Sequence, residues 1–260
     1  MIAPALTQRL DRTLVIRARR ETVFQFLSDT PQWASWWGAG SSIDAQPGGR
    51  MVIRHPNGIE ASGEVLEVRA PERIVFTYGY VNGKPIPPGS SRVTIRLDGH
   101  PQGTLLQLTH EFPDVESRDE FVQGWRFQLS LFANLIADTA TSEATSIVDQ
   151  WFTAWGEADT DIRERSLAAI TSPDVRFGDR FSCLEGAGDL YGHLAAAQRF
   201  MPGMRLERRG AIRHCQWHVL ADWVAVGDDG RERGRGTNLF ELDADGRITT
   251  VTGFWAAVDA

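Results

Sequence analysis

Two amphipathic stretches near the middle of the chain are separated by a short polar segment. Over residues 117–137 the apolar positions recur every three or four residues, which is the period of a helix with one buried face. These positions are Phe121, Trp125, Leu129, Phe132 and Ile136. A second stripe, with Trp151 and Trp155, begins after the small polar residues 139–143. We interpret the first helix as the end of one domain and the second as the start of another.

Upstream of this joint, alternation of apolar and polar residues predicts mostly strands. A first strand over 12–19 and a short helix over 21–28 are followed by three tryptophans within five positions. Five more strands are predicted between turns rich in Gly, Pro and Asn, namely 50–54, 61–69, 73–80, 91–97 and 104–112. An antiparallel sheet of this length, followed by a helix with a wide apolar face, folds most simply when the sheet curls around the helix.

Downstream of the joint, helical patterns come first and strand patterns last. Helices are predicted up to residue 200, interrupted by a Ser-Pro-Asp break and a short strand at 175–178. Four strands follow, at 205–215, 216–226, 236–242 and 247–255. The predicted fold class is therefore α+β with two domains, residues 1–140 and 141–260.

Composition narrows the class of partner. Of the residues, 42% are hydrophobic and 23% are charged, and no run approaches the roughly 18 apolar residues of a membrane span. Residues 1–140 hold 14 Arg and Lys against 15 Asp and Glu, and residues 141–260 hold 13 against 19. Neither half is basic, so we expect no nucleic acid partner. We expect no membrane association either, and because no signal peptide pattern is present we expect a cytoplasmic protein.

Sequence motifs for cofactors and metals are missing. There is no phosphate-binding loop, dinucleotide fingerprint or Gly-x-Ser-x-Gly elbow, so no organic cofactor is expected. Cys183 and Cys215 lack the paired spacing of a zinc site, and no metal is expected. The only lysine, Lys84, lies in a turn rich in Gly and Pro, which argues against Schiff-base chemistry.

The first domain contains the motifs Trp36-Trp37, Gln46-Pro47-Gly48-Gly49, Pro71-Glu72-Arg73, Gly103-Thr104, Leu108-Thr109-His110 and Gly124-Trp125. Together these motifs resemble the bacterial relatives of the heat-shock ATPase activator, within the START/Bet v 1-like (SRPBCC) superfamily. The resemblance implies a helix-grip fold, with a cavity between the sheet and the C-terminal helix that takes lipophilic small molecules. The candidate ligand contacts are Trp36, Trp37, Tyr78, His110, Phe112 and Trp125.

In the second domain, four runs of residues carry a further resemblance, namely 152–159, 172–179, 236–242 and 245–248. These runs resemble the SnoaL-like group of the nuclear-transport-factor-two-like superfamily of cone-shaped α+β barrels. That superfamily includes ketosteroid isomerase, polyketide cyclases and epoxide hydrolases, and also dimerisation and binding modules. The resemblance therefore implies either cofactor-free acid–base chemistry or ligand binding.

The resemblance to ketosteroid isomerase also assigns roles to residues. Its general base falls on Asp179, its tyrosine donor on Trp151 and its aspartic acid donor on Asn238. An indole N–H and an amide can still donate hydrogen bonds to a developing oxyanion. Asp179 follows an apolar strand, and desolvation at the lip of a cone would make its carboxylate a stronger base.

Further contacts are predicted around that carboxylate. His214 resembles a histidine that is frequent in SnoaL-like domains, and we expect it to act as an auxiliary acid or hydrogen-bond partner. His193 is expected to point into the same cavity, and Trp155 and Trp217 are further candidate ligand contacts.

Two main hypotheses follow. The first is a cofactor-free isomerase, cyclase, dehydratase or epoxide-opening enzyme acting on a lipophilic or polycyclic metabolite. The second is a non-catalytic protein for small-molecule binding or self-protection. A third, an activator of a heat-shock ATPase, follows from the family name alone.

We also predict a homodimer through residues 205–255. Its basis is that the strand aromatics there exceed what one small cone can bury; they are Trp217, Trp223, Phe240, Phe254 and Trp255.

Overall fold

The computed structural model describes residues 5–256, which divide into two units with the boundary between Ile136 and Ala137. The elements of the first unit are β1 (Gln8–Ile16), α1 (Arg20–Ser28), α2 (Thr30–Trp37), β2 (Ser42–Ile43), β3 (Arg50–Arg54), β4 (Glu60–Arg69), β5 (Arg73–Tyr78), β6 (Ser91–His100), β7 (Gly103–Phe112) and α3 (Val115–Ala140). The strands form one antiparallel sheet in the order β1-β7-β6-β5-β4-β3-β2.

The apolar stripe of α3 packs on this sheet. Phe121, Trp125, Leu129, Phe132 and Ile136 are all at most 8% exposed. Phe121 meets Tyr78 of β5 edge to face, with ring centroids 5.5 Å apart. The helical period in the sequence therefore marks the face of α3 that is buried against the strands.

The second unit places three helices beside a mixed sheet. Its elements are α4 (Ala144–Gly156), α5 (Thr160–Ile170), β8 (Thr171–Gly178), β9 (Cys183–Glu185), α6 (Ala187–Phe200), β10 (Arg205–Cys215), β11 (His218–Val226), β12 (Glu232–Leu242) and β13 (Ile248–Trp255). The strand order is β10-β11-β12-β13-β8-β9, and only the β13–β8 pair is parallel. This architecture confirms the predicted α+β class.

Strand β8 differs from its prediction. It begins at Thr171 and includes the Ser-Pro-Asp segment that the sequence predicts as a break. The register between β13 and β8 shifts between Ile248 and Thr250, so Pro173 lies in an irregular part of the pairing. A proline is tolerated there because it does not have to donate to the ladder.

The aromatic residues of the second sheet are mostly buried within their own unit. Trp217 and Trp223 are 6% and 4% exposed, and Phe240 is fully buried. Only Phe254 of the five is largely exposed, at 56%. The premise that one small cone cannot bury them is therefore wrong, because tight packing around β11 and β12 accommodates these three rings.

No helix in the described part of the chain is both long and apolar enough to cross a membrane.

Two strand glycines of the first unit provide a test of its packing. A Cβ on Gly63 of β4 would lie 1.7 Å from the carbonyl oxygen of Thr77, whereas one on Gly99 of β6 would meet nothing within 4 Å. We expect Gly63→Ala to lower the free energy of unfolding by about 2 kcal/mol or more. Gly99→Ala should leave it unchanged or raise it by up to about 1 kcal/mol. Urea unfolding of both variants measures the difference, and equal stabilities would contradict the described packing.

Candidate functional site

A cavity of about 470 Å³ lies inside the second unit, with walls from α4, α6, β8 and the inner face of the sheet. Most of its lining is aromatic or aliphatic, including Trp155, Phe177 and Leu206. The polar and charged side chains that line it are Asp179, Ser182, His193, Arg233 and Asn238. An apolar cavity with a few convergent polar groups is the usual form of a small-molecule site.

Asp179 is the acidic group of this cavity. It follows β8 and opens a tight turn, in which its N–H donates to the carbonyl oxygen of Ser182 at 3.0 Å. One carboxylate oxygen accepts from the backbone N–H of Phe181 at 2.8 Å, and the other accepts from the indole N–H of Trp255 at 3.0 Å. The carboxylate is half-buried, and two donors fix its direction.

Asn238 lies on the inner face of β12 and is 4% exposed. Its Oδ1 accepts from the indole N–H of Trp223 at 2.8 Å. An indole nitrogen can only donate a hydrogen bond, so the atom of Asn238 that faces Trp223 must be the acceptor Oδ1. The amide N–H₂ therefore points away from Trp223. No protein acceptor for that N–H₂ occurs among the described residues, so it remains available to a ligand.

The space between these two groups is kept open by a glycine. Gly253 of β13 pairs with Asn238 of β12 in the sheet register. A Cβ at Gly253 would lie 3.1 Å from the Asp179 Cβ and 3.3 Å from the Asn238 Oδ1. Because that side chain is missing, Asp179 and Asn238 flank one gap in the cavity wall, and the Asn238 Oδ1 lies beside it.

Two more glycines make room for the orienting indoles. A Cβ on Gly234 would approach the Trp255 ring to 2.8 Å, and one on Gly236 would approach the Trp223 ring to 2.7 Å. The two indoles pack edge to face, with centroids 5.0 Å apart. Neither tryptophan was predicted to orient a polar side chain. The available signal was the pair of alternate glycines on β12, a strand that pairs with β11, which carries Trp223, and with β13, which carries Trp255.

A second polar pair lines the same cavity. The Ser182 hydroxyl lies 3.3 Å from Nε2 of His193, which is carried by α6. The imidazole contacts the rings of Trp155 and Phe177, at centroid distances of 5.8 and 6.0 Å. His193 and Trp155 therefore lie where the sequence predicts, and Ser182 was missed because no motif surrounds it.

Two residues predicted to belong to the site, Trp151 and Trp217, lie outside this cavity. Trp151 is fully buried in the core beside Phe177 and Phe240, and its indole N–H has no acceptor among the described residues. Trp217 is buried but does not line the cavity. The expected donor position at Trp151 is thus occupied by a packing residue.

The structure also places His214 outside the cavity, so its predicted role beside Asp179 is wrong. Its side chain is 38% exposed, and its Nδ1 lies 3.4 Å from a carboxylate oxygen of Asp138. In the register with β11 it pairs with Val219, at the opposite end of β10 from Leu206, which lines the cavity. His214 therefore lies near the outer end of the strand, away from the cavity lining.

The first unit contains its own cavity of about 400 Å³. The predicted residues Trp36, Trp37, Tyr78 and Trp125 line it, together with other aromatic residues and His55. The Tyr78 hydroxyl lies 3.5 Å from Nε2 of His55. Burial raises the pKa of Tyr78 and lowers the pKa of His55, so both groups are held in their neutral forms.

His110 and Phe112, also predicted as ligand contacts, belong to the core behind this cavity. His110 is fully buried, and its Nδ1 accepts from the indole N–H of Trp125 at 2.9 Å. Its Nε2 lies 2.8 Å from the hydroxyl of Ser91, which itself donates to the Tyr78 carbonyl at 2.9 Å. The proton must therefore reside on Nε2, and burial lowers the pKa of His110 to about 3. Phe112 packs on the imidazole at 3.9 Å.

In the described part of the chain, no group of three or more His, Cys, Asp and Glu residues is arranged to hold a metal ion.

Residues 17–137 match the family described as "Activator of Hsp90 ATPase homolog 1-like protein". The N-terminal region therefore carries a domain of the SRPBCC type, which confirms the first resemblance. The comparison with curated proteins gives no match.

Similar solved structures include a SnoaL-like family protein from Agrobacterium tumefaciens str. C58, with 24% identity and a TM-score of 0.43. It is covered over 99% of its length by 45% of this chain. The Aha1 dimer from Colwellia psychrerythraea has 17% identity and a TM-score of 0.42, with 48% of this chain covering 93% of that one. CalU16 from Micromonospora echinospora has 22% identity and a TM-score of 0.40, with 53% covering 80%.

The buried imidazole of His110 predicts an acid-labile first unit. Its pKa of about 3 in the folded state lies below the ordinary value of 6.5, so between these pH values the unfolded chain binds more protons. The free energy of unfolding should fall as the pH decreases from 6.5, by about 2 kcal/mol at pH 5. His110→Gln keeps an acceptor for Trp125 and a donor for Ser91 but has no proton to gain.

Calorimetric unfolding between pH 5 and 8 should therefore show a weaker acid dependence for His110→Gln than for the wild type. His218→Gln, which removes an exposed histidine, is the control and should retain the wild-type dependence. Superimposable profiles for His110→Gln and wild type would contradict the assignment of a neutral, buried imidazole.

Proposed function

We propose that the second unit is a cofactor-free acid–base enzyme acting on a lipophilic small molecule that contains a carbonyl group. The supporting observation is that Asp179 and Asn238 line the same cavity and flank the gap at Gly253, and that the amide N–H₂ of Asn238 makes no hydrogen bond to the described residues. That gap opens into an apolar cavity whose volume suits a small organic molecule.

The chemistry follows from these two groups. Asp179 removes a proton from the carbon next to the carbonyl, and negative charge develops on the carbonyl oxygen. The Asn238 amide donates a hydrogen bond to that oxygen, in surroundings where a fixed dipole is worth more than in water. Return of the proton to another carbon of the substrate gives isomerisation. Attack of the enolate carbon on a second carbonyl carbon of the substrate, with the proton delivered to that carbonyl's oxygen, gives cyclisation. Expulsion of a hydroxyl group, which leaves as water with the proton, gives dehydration.

We assign the second donor to Trp155. It lies one helical turn after Trp151 on α4 and lines the cavity, which Trp151 does not. Its indole N–H is buried and has no acceptor among the described residues. A buried donor without a partner costs about 1–3 kcal/mol, so a ligand oxygen that accepts from it would bind more strongly.

Binding without catalysis is the second candidate function. It is favoured by the position of Trp151, because the donor that the ketosteroid isomerase resemblance implies lies in the core. The carboxylate of Asp179 also already accepts two hydrogen bonds from the protein, so part of its accepting capacity is used before a ligand binds.

Hydrogen–deuterium exchange into a ketone separates the two candidates. In D₂O with 2-tetralone and related bicyclic ketones, the wild type should accelerate exchange next to the carbonyl, as read by mass spectrometry. Asp179→Asn should lower that rate at least about 100-fold, because it removes the base. Asp174→Asn, which changes an exposed carboxylate on β8, is the matched control and should exchange at the wild-type rate.

The outcomes differ between the candidates. Wild-type rates for Asp179→Asn would overturn the enzymatic proposal. Saturable binding of the ketones without any accelerated exchange would favour the binding function. Trp155→Phe, which removes only the indole N–H, should slow exchange if the second donor is assigned correctly.

For the first unit we propose binding of a neutral aromatic molecule. No carboxylate, lysine or arginine lines its cavity among the described residues, and the aromatic walls include Trp36, Trp37 and Trp125. His55 and Tyr78 offer hydrogen bonds without charge. A planar ligand with one hydroxyl or carbonyl group matches these walls.

We also propose a homodimer through the outer face of the second sheet. Phe254 projects from β13 beside Thr237, and charged residues of both signs surround it, including Arg209 and Glu232. An exposed aromatic ring with charges of both signs around it suits an interface between two identical faces. Sedimentation at micromolar concentration should give a dimer, and Phe254→Glu should give a monomer with unchanged circular dichroism. A monomeric wild type would refute the proposal.

A further inference from the structure

The proposed function leaves one pair of reactive side chains in the second cavity unused. The Ser182 hydroxyl and Nε2 of His193 are 3.3 Å apart, and both side chains line the cavity. A hydroxyl within hydrogen-bond reach of an imidazole is the minimal arrangement for activating a serine nucleophile, and such contacts are often loose without a substrate. Ser182 lies in the turn after β8 and His193 lies on α6, so the two side chains come together only in the folded chain.

Both members of the pair are held in place. Ser182 closes the turn that begins at Asp179, where reciprocal backbone hydrogen bonds of 3.0 and 3.4 Å join the two residues. His193 lies on α6, and its ring is packed between Trp155 and Phe177, with interplanar angles of 80° and 38°. Two aromatic contacts limit rotation of the imidazole and keep Nε2 directed at Ser182.

The cavity also combines apolar walls with a hydrogen-bond donor, the two features that suit binding of an acyl group. Its aromatic and aliphatic walls suit an apolar acyl chain, and the amide N–H₂ of Asn238 provides a hydrogen-bond donor inside the same space. The exposed rings of Phe181 and Phe200, which are 69% and 78% exposed, line the opening through which an ester would enter.

We propose that Ser182, activated by His193, is a nucleophile toward lipophilic esters, which gives the cavity an acyl-transfer activity separate from the chemistry of Asp179. The Ser182 oxygen attacks the ester carbonyl carbon while its proton passes to Nε2 of His193. The bond from that carbon to the alcohol oxygen breaks, and the alcohol leaves with the proton from His193. Water then attacks the acyl-serine by the same route and releases the carboxylic acid and free Ser182.

Covalent labelling tests this without knowledge of the natural substrate. The full-length protein is treated with phenylmethanesulfonyl fluoride, and the modified residue is identified by peptide mass spectrometry. We expect one sulfonyl group per chain, on Ser182, and slow hydrolysis of p-nitrophenyl butyrate by the unlabelled protein. Ser182→Ala should abolish both, and His193→Gln should slow both by about 100-fold, because the base is lost.

Exposed residues of the same unit provide matched controls. Ser146→Ala removes an exposed serine of α4, and His218→Gln removes an exposed histidine of β11; both should label at the wild-type rate. A wild type with no label on Ser182, a label on other residues only, or a labelling rate that His193→Gln leaves unchanged would each overturn the proposal. The mapped position in the wild type decides the question even if a variant does not fold.

Ketone exchange depends on Asp179, whereas sulfonylation is read at Ser182. A protein that exchanges ketones but is not labelled would overturn the nucleophile and leave the proposed acid–base function intact. A protein that is labelled on Ser182 but does not exchange ketones would support the nucleophile and overturn the proposed acid–base function.

Discussion

The candidate site depends on a hydrogen bond that can run in only one direction. An indole N–H donates and never accepts, so a tryptophan beside a polar side chain decides which atom of that side chain faces it. Trp255 holds the Asp179 carboxylate in this way, and Trp223 holds the Asn238 carbonyl oxygen. The two indoles pack on each other, so the directions of the carboxylate and of the amide are linked through one aromatic contact.

A tryptophan indole N–H also orients a polar side chain in the first unit, but there it stabilises the core. Trp125 donates to Nδ1 of His110, which forces the imidazole proton onto Nε2 and toward Ser91. There every group of the network has a partner, and the result is a rigid core rather than a site. In the second unit the amide N–H₂ of Asn238 makes no hydrogen bond to the described residues, and Asn238 lines the cavity. One type of contact therefore stabilises a core in one unit and orients a candidate site in the other.

The sequence predicted the elements well where one face of an element is buried throughout. The period of α3 and the alternation of β12 both follow from continuous burial, and Asp179 and Asn238 lie in the cavity that the resemblance implies. His214 could not be placed in the same way, because alternation gives the face of β10 on which a residue lies but not its distance along the strand from the cavity, which Leu206 lines at the other end. Ser182 was missed for a related reason: its partner His193 is on a separate element, and only the fold brings them together.

The places of Trp151 and Trp155 show how far a resemblance can determine a site: Trp151 lies in the core and Trp155 lines the cavity. Two tryptophans four residues apart lie on nearly the same face of α4, so a small difference in how the helix sits decides which ring enters the core and which lines the cavity. Trp151 contacts Phe177 and Phe240 and becomes part of the packing. Trp155 contacts His193 and Phe177 at the cavity wall. The proposed donor therefore lies one turn away from the position that the resemblance implies, because helical geometry, rather than residue identity, determines which of the two side chains lines the cavity.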